Sequence, residues 1–128
     1  MRALVGIYLL VHGFCHLVGF LVPWKIINTK EEPYKTTLLS GAIEVGDGGI
    51  RMVGILWLLA GLAFMATAVG TFTSAPWWRA AAVGLAVAST VLCVLGLPGA
   101  KIGILANAAL LAYLALVKLG WLPAIHVL

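Results

Sequence analysis

Four apolar stretches, each about as long as a bilayer crossing, take up most of this chain. They run over about residues 4–22, 50–72, 79–97 and 102–119. Roughly 20 consecutive apolar residues with few charges is the pattern of a membrane-spanning helix. A chain inside lipid must satisfy its own backbone hydrogen bonds, so such stretches become helices. The segments between the last three are short, which makes sequence neighbours pack side by side in opposite directions. The expected fold is all-α, an integral membrane antiparallel four-helix bundle forming one domain over residues 1–128. Only 9% of the 128 residues are charged, against about a quarter in soluble domains.

The formal charge of +4 comes from eight basic residues scattered singly. They form no stripe able to follow a phosphate backbone, so nucleic acid is not an expected partner. Lys and Arg beside apolar spans anchor helix ends to lipid headgroups instead. Arg2, Arg79 and Lys118 fall on one side of the bundle, and Lys25, Lys30, Lys35, Arg51 and Lys101 on the other. Five against three puts the first loop in the cytoplasm. Met1-Arg2 before an apolar run resembles a secretory leader, but the run is long and ends at Val22-Pro23-Trp24-Lys25 without a small-x-small cleavage pattern. It is read as the first helix. Cys15 and Cys93 lie in separate spans without a CxxC motif and read as inert thiols.

The first span carries two histidines near its middle. On a helical wheel with His12 at zero, Tyr8 falls at about −40°, Cys15 at about −60°, His16 at about +40° and Gly19 at about −20°. Leu10, Leu17, Val18 and Leu21 take the opposite side, suited to lipid. Polar side chains within a bilayer normally face a bundle interior or cavity. An i, i+4 histidine pair can also reach one metal ion from a single helix, with Glu44 and Asp47 the only plausible carboxylates to complete the site. His126 lies too near the terminus to serve. The plainer alternative is that each histidine bonds a neighbouring helix through Asn107, Tyr8 or a backbone carbonyl.

Residues 24–49 form the long first loop. Leu38–Val45 is too short to span and is read as an interfacial helix, a re-entrant piece or an early turn of the second helix. Three glycines among Gly46-Asp47-Gly48-Gly49 argue against a continuous helix through Asp47, and Asp47 suits the N-cap of the following span. Glu44, in an apolar run, is a candidate for gripping the polar head of a quinone or lipid. In the third span Ala80, Gly84 and Ala88 recur every four residues, with Ala82 and Ala86 alongside, a small-residue seam for close packing. Asn107 is the strong polar group of the fourth span. Ser89, Thr90 and Cys93 can return hydrogen bonds to their own backbone. No phosphate loop, nucleophile elbow or CxxC motif appears, so hydrolase and thiol-oxidoreductase activities lack support.

The candidate ligand-binding residues are therefore His12, His16, Glu44, Asn107 and Tyr8, around a pocket for a quinone or a lipid-like molecule. The alternatives are a structural subunit that joins a homo-oligomer or a larger membrane protein through the Ala80/Gly84/Ala88 seam, and a metal- or haem-bearing electron carrier. The segments His12-Gly13-x-x-His16-Leu17-x-Gly19-Phe20 and Gly41-Ala42-Ile43-Glu44-Val45-Gly46 resemble those of the DoxX-like superfamily of small four-helix membrane proteins, with His16 where a lysine is common. That resemblance covers about half the chain. It implies a bacterial cytoplasmic-membrane protein, with relatives that act as small subunits of quinone-linked oxidoreductases, and it bears on His12, Gly13 and Glu44.

Overall fold

The computed structural model describes residues 1–123, so His126 lies outside the described residues. The first span is α1 (Arg2–His16), continued through Leu17, which keeps helical backbone angles, by α2 (Val18–Leu21). A small antiparallel hairpin follows, β1 (Thr37–Leu38) against β2 (Ile43–Glu44). Three long helices complete the chain: α3 (Gly46–Phe72), α4 (Trp78–Leu95) and α5 (Lys101–Lys118). Arg2–Leu21, α3, α4 and α5 are each long and apolar enough to cross a membrane. Their outer faces expose large apolar side chains, among them Leu4, Ile7, Val11, Phe14, Leu59, Val87 and Leu105. A continuous apolar exterior of this kind does not suit water.

The helices pack in sequence order, α1 on α3, α3 on α4 and α4 on α5. Small residues set the spacing. Where α1 crosses α3, a Cβ on Gly13 would stand 2.7 Å from the Gly61 carbonyl oxygen, and a Cβ on Gly61 would stand 2.8 Å from that of Gly13. Contact this close is possible only between glycines and lets Cα–H groups meet carbonyls. Phe64 fills the centre with Leu9, Ala68, Ala82, Ala86 and Leu110 around it.

Five expectations about local structure change. Leu38–Val45 is not helical: it folds as the hairpin, whose turn residues Leu39, Ser40 and Gly41 take positive φ. Leu39 and Ser40 donate their N–H groups to Leu95 and Leu97 carbonyls, so the hairpin caps the end of α4. Helix α3 runs straight through Asp47, Gly48 and Gly49 from Gly46. The glycine cost is confined to its first turn, where the Tyr34 hydroxyl bonds Asp47 and Val45 packs across Gly49. Asp47 thus sits within that first turn, and Val45 is the N-cap.

The inward face of α4 is Ala82, Ala86, Ser89 and Cys93, whereas Ala80, Gly84 and Ala88 are exposed and Gly84 has nothing within 4 Å of its Cβ position. Helix α1 is also rotated from the wheel reading. Leu4, Ile7, Val11 and Phe14 face outward, while Leu10, Leu17, Val18 and Leu21 are half-buried. The glycines Gly6 and Gly13 turn this side of α1 onto α3, and apolar residues on both sides gave no contrast to reveal it.

Candidate functional site

Helix α1 delivers both histidines to the interior, where His12 is 7% and His16 2% exposed. Their surroundings fix the direction of a hydrogen-bond chain. His16 Nδ1 lies 2.9 Å from the His12 carbonyl oxygen, which only accepts, so Nδ1 carries the proton. Buried without an anionic partner, the imidazole is neutral, and its Nε2 accepts from the Ser89 hydroxyl at 2.7 Å. Ser89 Oγ then accepts from Asn107 Nδ2 at 2.8 Å. Helices α1, α4 and α5 are thereby tied by one continuous chain. Its free end is Asn107 Oδ1, buried with no hydrogen-bond partner among the described residues.

His12 stands beside this chain. Its ring stacks on Tyr8 at 5.8 Å between centroids and meets Phe64 edge-on at 4.7 Å. The Asn107 amide lies within hydrogen-bonding reach of it, but no hydrogen bond of ordinary geometry forms at the buried His12 Nε2 among the described residues. Tyr8 itself donates to the Ala106 carbonyl at 2.5 Å, clasping α1 to α5.

Apart from this clasp, α1 and α5 make few contacts, and a cavity of about 470 Å³ lies along them. Tyr8, His12 and His16 line one end of it, Cys93, Gly103 and Trp57 its middle, and Glu32, Tyr34 and Lys35 of the first loop its other end. From Tyr8 to Val22 it follows the helix for roughly 20 Å, at about 1.5 Å per residue. Exposed Val11, Cys15 and Ile102 also belong to its wall, so it opens sideways through the apolar exterior. The volume suits a small organic molecule, and a mostly apolar wall with a few polar groups is the usual composition of such a site.

Four of the five candidate residues come together: His12, His16 and Tyr8 line the cavity, and Asn107 stands directly behind it. Glu44 does not join them. It lies exposed on β2, where the Thr36 hydroxyl and the Gly46 N–H hold its carboxyl below the usual carboxylate range. It satisfies its charge locally, away from the cavity. The metal-site alternative therefore loses its carboxylate, and no group of three or more His, Cys, Asp and Glu suited to a metal occurs among the described residues.

Three residues in or behind the cavity wall were not anticipated. Ser89 is the hub of the chain, whereas its neighbour Thr90 makes the backbone bond expected of both, to Ala86 O at 2.7 Å. Trp57 lies 5.0 Å from His16. Glu32 folds over Gly99, whose lack of a side chain leaves it room, and burial raises its carboxyl above the usual range while Lys35 partly offsets this. A serine one helical turn from Cys93 on a small-residue face was the available signal for Ser89; nothing in the sequence singled out Glu32. No protein-family model, curated protein or solved structure matches the chain.

Proposed function

We propose that this chain is an integral membrane four-helix bundle that binds a small amphipathic molecule of the quinone type in the cavity between α1 and α5. The supporting observation is His12 Nε2, a buried and unpartnered polar atom on a residue that lines a largely apolar cavity of about 470 Å³. An unpaired buried donor or acceptor costs about 1–3 kcal/mol, and a ligand oxygen placed there removes that cost. In this account His12 donates to, or exchanges a proton with, the ligand oxygen, and His16, held at both ring nitrogens, is a fixed brace. The apolar remainder of the molecule lies along Trp57 and Gly103. The chain then serves as a redox accessory in a bacterial cytoplasmic membrane, with the first loop in the cytoplasm, in keeping with the DoxX-like resemblance of its first two spans.

The test is mass spectrometry of organic extracts from gently purified protein, beside the His12→Leu/His16→Leu variant. A bound quinone or similar amphiphile in the first, lost from a normally folded second, supports the proposal. A variant that keeps every ligand rejects it.

The outward face of α4 favours a second reading, as a structural subunit of a homo-oligomer or larger complex. Ala80, Gly84 and Ala88 are exposed together and Gly84 meets nothing within 4 Å. A stoichiometric partner that dissociates on Gly84→Leu substitution supports this reading.

A further inference from the structure

Tyr8 divides the gap between α1 and α5, lining a cavity on each side of its bond to Ala106. The ligand cavity lies toward the first loop. A second, of about 240 Å³, lies toward the start of α1 and the end of α5, between Met1, Leu4 and Val5 on one side and Ala109, Leu110 and Tyr113 on the other. It falls below the roughly 300–1,000 Å³ of sites that enclose a small organic molecule. An apolar groove of that size takes a stretch of hydrocarbon chain reaching in from the bilayer. One polar atom marks its wall: the Tyr113 hydroxyl, buried without a hydrogen-bond partner among the described residues.

The charge at this end of the bundle is one-sided. All four acidic residues, Glu31, Glu32, Glu44 and Asp47, belong to the first loop and the start of α3, where five cations accompany them. The opposite end holds Arg2, Arg79 and Lys118 and no Asp or Glu. Arg2 bonds the uncharged Ser74 hydroxyl. Arg79 is exposed, lies over the Trp78 ring at 5.4 Å, and stands close enough to Tyr113 for its charge to act on the phenol. A guanidinium steadied on a ring still presents its N–H fork to a phosphate. Tyr113 precedes Lys118 by five residues, about 7.5 Å along α5, which is the depth of an interfacial tyrosine.

We infer that this groove is a binding site for an anionic phospholipid, separate from the ligand cavity, with one acyl chain against Leu4, Val5, Ala109 and Leu110 and the phosphodiester at Arg79. An oxygen of the same lipid is the acceptor that the Tyr113 hydroxyl lacks. A zwitterionic headgroup fits less well, because its ammonium meets three cations and no carboxylate here.

The full chain, stripped of lipid in detergent, is titrated with dioleoyl phosphatidylglycerol or dioleoyl phosphatidylcholine, and bound lipids are counted by native mass spectrometry. The two probes share their tails and differ in head charge. The first phosphatidylglycerol binds about fivefold or more tightly than the first phosphatidylcholine, the size expected for cations at a headgroup. Arg79→Gln brings that ratio toward one. Ala109→Trp, which fills the groove from an exposed position and keeps every charge, removes the first site for both lipids. Arg51→Gln, at the loop end, changes neither. Equal affinity for the two lipids in the unaltered protein overturns the proposal. So does a preference that Arg51→Gln lowers as much as Arg79→Gln, since the charge is then read over the whole surface. Displacement of phosphatidylglycerol by an equal concentration of soluble glycerol phosphate assigns the site to a free phosphate and overturns the lipid.

Discussion

Gly13 and Gly61 bring α1 and α3 into backbone contact: a Cβ added to Gly13 would meet the Gly61 carbonyl oxygen at 2.7 Å. This crossing sets where both histidines stand, because His12 and His16 flank Gly13 and the His16 Cβ lies 3.2 Å from the Gly61 Cβ position. The neighbour here is backbone and cannot swing aside. Gly13→Ala is therefore expected to destabilise the bundle by about 1–3 kcal/mol, the range for overpacking. Unfolding in mixed detergent micelles measures it, and an unchanged midpoint would show that the helices are not in contact here.

Ser89 receives two polar groups from two other helices. Ser89→Ala leaves His16 Nε2 and Asn107 Nδ2 unpaired and should cost about 1–2 kcal/mol, toward the upper end for hydrogen bonds between membrane helices. Adding Asn107→Leu should cost less than the two single changes summed, since both remove the same bond. Strict additivity would deny that the bond exists.

Glu32 makes the first loop sensitive to pH. Its folded carboxyl is raised by burial, with Lys35 acting against the shift. The neutral acid is thus the form the fold favours. Its contribution is full below the unfolded value of about 4.3 and is lost as pH rises through the folded value. Glu32→Gln should match the unaltered protein near about pH 4 and exceed it in thermal stability near about pH 8. A gap that closes as pH rises would reverse the sign and exclude a buried carboxyl.

Hydropathy made the four long helices legible, since segments near 20 apolar residues have few alternatives in lipid. The His12/His16/Tyr8 grouping was legible from i, i+4 spacing alone. The rotation of α1 was not, because Leu10 and Leu17 are as apolar as Val11 and Phe14, and lipid and core reward both alike. The hairpin at Thr37–Glu44 escaped notice because its register depends on the end of α4, far along the chain. Glu44 looked buried by its apolar neighbours Ile43 and Val45, but after the positive-φ turn at Leu39–Gly41 that strand lies exposed. Ser89 needed knowledge of which α4 face meets α1 and α5, which small residues on every side of that helix concealed.

The ligand cavity itself is tested most directly by the fluorescence of Trp57, which lines it 5.0 Å from His16. A short-chain benzoquinone, an efficient quencher of indole, is titrated into the protein in nanodiscs beside Trp57→Phe. The account predicts a saturable component of quenching in the unaltered protein that disappears in Trp57→Phe, leaving only the linear collisional part. Linear quenching of equal slope in both proteins would contradict it, and the histidines would then serve only to hold the helices together.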